Sequence, residues 1–232
     1  MKIKKKLTIF TGAGISAESG IATFRDSNGL WENYSIEDVA TPMGWLKNPQ
    51  LVLDFYNQRR KDVLGVEPNL AHTLLVDLEE KYDVCVITQN VDNLHEKAGS
   101  KKVLHLHGEI LKSRSSKYPE LIYECVGDIK LGDKCEKGSQ LRPHVVWFGE
   151  MVPMLPTAEL LSYDSDVFVI IGTSLQVYPA ASLFERVQSH CEIFIIDPNL
   201  TEGTISSHSK ITYIKEKATI GTQKLYDLLM KE

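Results

Sequence analysis

The first residues able to do chemistry are Gly12-Ala13-Gly14, directly after the apolar run Leu7–Phe10, with Ser16 close behind. Glycines allow a tight turn and let backbone approach an anion. Ser16 can cap a helix or contact a phosphate, and a helix starting here would offer free N–H groups and the positive end of its dipole. This is where a dinucleotide-binding fold places a pyrophosphate. The third glycine of the usual spacing is missing, and no acidic residue about twenty positions on stands out as a ribose reader, which strains an ordinary dehydrogenase reading. His107, at the end of the apolar run Val103–Leu106, brings an imidazole that titrates near neutral pH and can take up and return a proton, with Gly108 leaving room for a substrate. A histidine at a strand end can equally be structural. In Phe55-Tyr-Asn-Gln-Arg-Arg60, Tyr56 and Arg59 are three apart and share a helix face. A phenol and a guanidinium together suit a carboxylate; the plainer alternative is a packed Tyr56 and a surface ion pair for Arg59.

Something must hold these groups in place. Short apolar runs recur at Leu7–Phe10, Val84–Ile87, Val103–Leu106, Val145–Phe148, Val167–Ile171 and Ile193–Ile196. Continuously apolar, β-branched runs of this kind predict strands of a parallel sheet covered on both faces. Helices are expected at Val91–Ala98, Pro156–Tyr163, Ala180–Ser189 and Gly221–Lys231, the last with an apolar face of Leu225, Leu228 and Leu229. The alternation predicts an α/β fold, a doubly wound, Rossmann-like parallel sheet with a smaller inserted helical and irregular domain. Ligands of such sheets sit at the carboxyl ends of the strands, where the glycine turn, Gln89, His107 and Gly172 all fall. Residues 31–79 are helical in character, while 110–140 are polar and show no clear period.

The 232 residues, 43% hydrophobic and 25% charged, suit a full-sized globular core. A formal charge of −5 gives no basic footprint for nucleic acid, and Lys2, Lys4, Lys5 and Lys6 read as a solvated lead-in to the first strand. No apolar run approaches a membrane span or a signal peptide. Four dispersed cysteines without secretory context point to a reducing cytoplasm.

Three further segments carry a resemblance: Thr88-Gln-Asn-Val-Asp-Asn-Leu-His95, Leu104-His-Leu-His-Gly-Glu109 and Leu141-Arg-Pro-His-Val-Val-Trp-Phe-Gly-Glu150. With the glycine turn, Ile171-Gly-Thr-Ser-Leu-Gln-Val-Tyr-Pro179 and Ile196-Asp-Pro-Asn199, they resemble the sirtuins over nearly the whole chain. The resemblance implies an NAD-binding domain of residues 1–30, 80–109 and 141–232, and a small domain of the helical insertion 31–79 and a zinc-module-like insertion 110–140. It implies an NAD-dependent protein-lysine deacylase, with NAD as co-substrate and acylated lysine side chains of proteins as partners. In that chemistry the acyl oxygen attacks the ribose carbon bearing nicotinamide. His107 then activates a ribose hydroxyl, and the products are free lysine and an O-acyl-ADP-ribose.

By the same resemblance, His107, Asn90 and Asp92 are the catalytic positions. Gly12, Ala13, Gly14, Ser16, Gln89, Asn90 and Asp92 hold the cofactor together with Gly172, Thr173, Ser174, Asn199 and Ala218. Phe24, Arg25 and Asp26 match the loop that covers it. Asn90 or Asp92 can also simply cap the following helix. Val146, Trp147, Phe148 and Gly149 resemble a strip that pairs with an extended substrate peptide, opposite the strip around Gln176, Val177 and Tyr178; Trp147 is equally readable as a core aromatic. His105 is left structural. A Tyr-x-x-Arg pair at Tyr56 and Arg59 marks the sirtuin branch that prefers acidic acyl groups such as succinyl and malonyl. The departure is the metal site. A structural zinc needs four ligands, yet the insertion offers only Cys125 and Cys135, has serines at 113, 115 and 116, and leaves Cys85 and Cys191 on sheet strands. Zinc is not expected, and the module should be compact through Leu111, Leu121, Ile122, Tyr123 and Leu131 or else mobile. Competing readings are an ADP-ribosyltransferase or NAD hydrolase, and a silent NAD- or ADP-ribose-binding module.

Overall fold

The computed structural model describes residues 3–22, 30–31, 34–175, 177–199 and 210–231; Phe24, Arg25, Asp26 and Gln176 lie outside them. The strands are β1 (Lys6–Thr11), β2 (Leu30–Trp31), β3 (Tyr34–Ser35), β4 (Asp83–Thr88), β5 (Val103–His105), β6 (Gly108–Ser115), β7 (Ile122–Glu124), β8 (Leu141–Val145), β9 (Val167–Ile171), β10 (Glu192–Ile196) and β11 (Ile211–Ile214). The α-helices are α1 (Gly14–Ala17), α2 (Ile36–Val39), α3 (Pro42–Lys47), α4 (Pro49–Leu64), α5 (Leu70–Asp77), α6 (Leu94–Ala98), α7 (Leu155–Tyr163) and α8 (Ala218–Lys231). No helix among the described residues is long and apolar enough to cross a membrane.

A six-stranded parallel sheet runs in the order β11-β10-β9-β1-β4-β5. Strand β1 sits in the middle, with β4 on one side and β9 on the other, so the strand order reverses around it. Alternate residues feed two cores. Leu7, Ile9, Val84, Val86, Val167 and Val169 pack beneath α5 and α8, while Phe10, Ile87, Phe168, Ile170, Ile193 and Ile195 pack on the other face with α7. Burial on both faces is why these strands read as continuous apolar runs.

Several expectations need correction. Val145–Phe148 is not a strand of the parallel sheet: β8 ends at Val145 and belongs to a separate antiparallel sheet, β7-β6-β8. That sheet also organises the polar insertion read as irregular, with register pairs Ser113↔Tyr123 and Ser115↔Leu141. Strand β11 was not anticipated, and Ala180–Arg186 forms a 3₁₀ rather than an α-helix. Within 31–79, Ala71, Leu75 and Leu78 belong to the main core, whereas Val52, Phe55, Tyr56 and Val63 of α4 join Ile110, Val145 and Trp147 in a third core. Helix α5 thus packs its apolar face against the parallel sheet and α8, apart from the core that α4 joins.

Of the apolar residues expected to hold the module, Ile122 and Leu131 are exposed, while Leu111 packs against the third core and Ile110, Ile129 and Val145 are buried. Buried polar groups add to this packing. Ser115, 1% exposed, accepts hydrogen bonds at Oγ from the backbone N–H groups of Lys117 (3.3 Å) and Tyr118 (3.1 Å) and from Cys135 Sγ (3.3 Å). Helix α4 staples the module from outside. Asn57 exchanges two 2.9 Å bonds with the backbone of Ile129, and buried Arg60 donates to Ile110 O and Gly127 O.

Candidate active site

The turn after β1 and the turn after β9 interlock at the reversal point of the sheet. Gly12 N–H donates to Ile171 O at 3.0 Å and Gly14 N–H to Gly172 O at 2.9 Å. A Cβ on Gly14 would lie 2.6 Å from Gly172 Cα, and one on Gly12 2.8 Å from Thr173 Cβ. These glycines are therefore required by the contact between the two turns, and not only by a ligand. Their N–H groups are already satisfied, so an anion would meet the turn at Ala13. Helix α1 is a single turn, so the dipole expected of it is small.

Ser16 also turns inward. Only 1% exposed, it donates from Oγ to Asp92 Oδ2 (3.0 Å) and accepts from Asn90 Nδ2 (3.2 Å). Asn90 Nδ2 also reaches Gly12 O at 3.1 Å, so these bonds brace the glycine turn against the loop after β4. Burial raises the Asp92 pKa, while hydrogen bonds from Leu94 N–H and Ser16 hold the shift back. Helix α6 starts at Leu94 and not at Val91, with Asn93 at its N-cap, so neither Asn90 nor Asp92 is the cap expected of them, although Asp92 accepts from Leu94 N–H at 3.1 Å.

His107 follows β5, and its Nδ1 lies 3.0 Å from Gln89 O. A carbonyl only accepts, so Nδ1 carries the proton and Nε2 of the neutral ring is the basic nitrogen. Burial lowers its pKa, which the Gln89 bond partly opposes, so the ring is held in the form a base needs. Gly108 adopts φ +81°, and a Cβ there would sit 2.1 Å from His144 O. The glycine is demanded by the crossing of β6 and β8 rather than by room for substrate. His105 repeats the pattern one carbonyl along, with Nδ1 at 3.0 Å from Asn90 O and Nε2 at 2.8 Å from Glu96.

Gln89 tests whether a ribose-bearing ligand fits. Its Oε1 accepts from Thr173 Oγ1 at 3.2 Å, while its Nε2 is buried without a hydrogen-bond partner among the described residues. Such a donor is costly unless something accepts from it. A sugar hydroxyl at the sheet edge would do so. Gly172 and Thr173 follow β9 and Asn199 follows β10, with its N–H on Asp197. Ala218 opens α8, where Glu18 accepts from Thr219 N–H and Oγ1, both at 2.9 Å. Ser174 and Val177 are half-buried beside them.

Tyr56 and Arg59 line a cavity with Ile21, Val63, Val91, Asp92 and Ile110. Both are buried in α4, so the surface ion pair for Arg59 does not apply. The four apolar lining residues were missed in the sequence. Val91, between Asn90 and Asp92, was the readable signal, because an apolar residue between two polar site residues must itself face something. Trp147 is 2% exposed and donates from Nε1 to Tyr56 Oη at 3.1 Å, which places it in the core. Along the proposed peptide strip the N–H groups of Val146, Trp147 and Phe148 already donate to His107 O, Glu150 and Ala40 O. Main-chain pairing with a peptide there falls to Gly149 and to carbonyls.

Comparison with known proteins agrees with this layout. The family model described as "Sir2 family" matches residues 12–179. An NAD-dependent protein deacylase from Helicobacter pylori is 52% identical over 227 residues, 98% of each chain. One from Bacteroides thetaiotaomicron is 50% identical over 232 residues, covering 97% of this chain and 98% of its own. A Sir2 homologue solved as an NAD complex superposes with a TM-score of 0.87 at 40% identity, covering 98% of this chain and 90% of that one. The matched span runs from the first glycine turn through the His107 strand to the turn after β9, and on that match the chain belongs to the Sir2 family.

Proposed function

We propose that this chain is an NAD-dependent protein-lysine deacylase whose acyl pocket favours groups ending in a carboxylate. The observation that carries the preference is the placement of Tyr56 and Arg59 in one cavity beside Val91 and Asp92, on the same loop as Asn90. Arg60, next in sequence, donates to Ile110 O and Gly127 O outside the cavity. Arg59 is among the residues lining it, where a ligand carboxylate would gain a charge-assisted bond.

When bound, NAD supplies a sugar carbon with a good leaving group. Gln89 Nε2, Ala13 N–H and the main chain at Thr173 would hold the sugar and phosphates. Asn90 and Asp92, locked through Ser16, fix the loop that orients the sugar. His107, proton on Nδ1, accepts one at Nε2 from a ribose hydroxyl and so raises its nucleophilicity toward the acyl carbon. The aliphatic walls Ile21, Val63, Val91 and Ile110 exclude water around the acyl chain.

Mass spectrometry of reactions containing NAD and a succinyl-, malonyl- or acetyl-lysine peptide tests the reading. One nicotinamide and one O-acyl-ADP-ribose per deacylated lysine is expected, fastest for the acidic acyl groups. Nicotinamide release without an acylated peptide, or ADP-ribose transferred to protein, would favour the transferase or hydrolase reading instead.

A further inference from the structure

His105 ends β5 and His107 follows it, and the two hold successive carbonyls of one loop. His107 Nδ1 lies 3.0 Å from Gln89 O, and His105 Nδ1 lies 3.0 Å from Asn90 O. They differ at the other nitrogen. His105 Nε2 is 2.8 Å from Glu96 Oε1 in α6, with the His105 side chain 8% exposed. A carbonyl and a carboxylate only accept, so both His105 nitrogens donate and the ring is an imidazolium. Burial alone would lower its pKa, but Glu96 outweighs that and raises it; burial would raise that of Glu96, but the bond from His105 outweighs it. Asn90 already donates from its N–H to Thr88 Oγ1 at 3.0 Å and from Nδ2 to Gly12 O at 3.1 Å, so His105 fixes a third polar group of the same residue. It also ties the loop after β4 to the helix into which that loop leads. Of the other groups facing His105, Glu109 of β6 favours the imidazolium, and the imidazolium in turn favours the ionised form of Asp92, which burial opposes. His95 of α6 is kept neutral by burial, and Lys112, 2.9 Å from Glu109, helps keep Glu96 ionised.

We infer that His105 is a positioning residue for the cofactor, an imidazolium held by Glu96 that fixes the Asn90 peptide and with it the side chains of Gln89, Asn90 and Asp92. The inference rests on the proposed cofactor role of those three residues. The two histidines then work in opposite protonation states, His107 neutral and His105 charged. As pH rises through its folded value, His105 gives up one proton. The carboxylate keeps the remaining one better than the neutral carbonyl does, so Asn90 O is released and faces a lone pair.

Nitrogen-15 NMR of the histidine rings in the NAD-free chain, with His105→Gln assigning the signal, reads the protonation state. Both His105 nitrogens should carry protons near pH 7. Glu96→Gln, a conservative exchange at an exposed carboxylate, should move the loss of one proton to lower pH. A single proton on the ring near pH 7 would overturn the inference. Calorimetric titration of NAD across neutral to mildly alkaline pH reads the positioning. The Kd of the parent should rise about 3- to 10-fold as His105 deprotonates, the range for one neutral hydrogen bond. Glu96→Gln should move that rise to lower pH, and His105→Gln should bind NAD more weakly with the rise gone. A Kd flat through the His105 titration, or a rise that stays in place in Glu96→Gln, would also overturn the inference and leave the cofactor site standing. A Kd unmoved by both Gln89→Ala and Asn90→Ala would instead remove the cofactor reading of the loop itself.

Discussion

The carboxyl edge of the parallel sheet and the three-stranded module lie either side of His107 and are built on opposite principles. At the edge, two glycine turns meet backbone to backbone and polar side chains are buried because each has a role, from Ser16 on Asp92 to Gln89 on Thr173. In the module, buried polar side chains hold the chain itself, with Ser115 gathering two backbone N–H groups and a thiol. Buried polarity at the sheet edge surrounds the candidate ligand site, and buried polarity in the module supplements the apolar packing of Ile110, Ile129 and Val145.

The largest effect separating the two should come at His107. His107→Ala should reduce deacylation about 10²–10⁴-fold, the usual cost of a lost general base, while isothermal titration shows NAD binding largely kept. Near-normal turnover would take His107 out of the role. Backbone packing at the edge is the next largest. Gly14→Ala must push a methyl into Gly172, so urea melts should show a loss of about 1–3 kcal/mol, with weaker NAD binding as the turns part. Gly127→Ala, in the module with nothing within 4 Å, should stay within about 0.5 kcal/mol of the parent.

Ser115→Ala reads the other side of the comparison. Losing the buried hydroxyl and its bonds to two partly buried N–H groups should cost about 0.5–1.5 kcal/mol of stability, with kcat at 25 °C little changed if the module only supports the fold. Metal analysis should find far less than one zinc per chain, and a chelator should leave the melt and the activity as they were. Stoichiometric zinc released together with the fold would contradict this account of the module.

A pH series gives the smallest and most distributed effect. Burial pushes the His72 pKa down to about 4 and that of His95 well below its ordinary value. The unfolded chain takes up these protons near pH 6.5 and the folded chain does not, so stability should fall as pH drops from 6.5 toward 4. The slope is up to about 1.4 kcal/mol per pH unit for each fully buried ring. His105 acts in the opposite sense. Burial alone would lower its pKa, but Glu96 outweighs that and raises it, so its contribution is full below pH 6.5 and lost as pH rises through the folded value. Denaturant melts at several pH values, with His105→Asn removing the opposing contribution, separate the two.

Legibility in the sequence followed the same division. The sheet and its edge could be read because two-sided burial makes β1, β4, β9 and β10 continuously apolar, and because glycine turns and His107 fall at their ends. The module could not, since Ser113 and Ser115 read as turn formers although they are 3% and 1% exposed on alternating strand positions. At Gly14 and Gly108 the chain–chain contact that also requires a glycine has no local signal in the sequence. The Trp147–Tyr56 bond joins residues 91 positions apart and has no local sequence signal.

The claim that the pocket between α4 and the Asn90 loop reads an acyl carboxylate is tested most directly by steady-state kinetics on succinyl- and acetyl-lysine peptides with the parent chain and Arg59→Met. The variant removes the charge and keeps much of the bulk. The account predicts a parent that prefers the succinyl peptide, and a rise in its KM worth roughly 1.5–3 kcal/mol in Arg59→Met, the value of a hydrogen bond to a charged group. The acetyl peptide should not share that loss. Equal losses on both peptides, or a parent indifferent to the carboxylate, would contradict it.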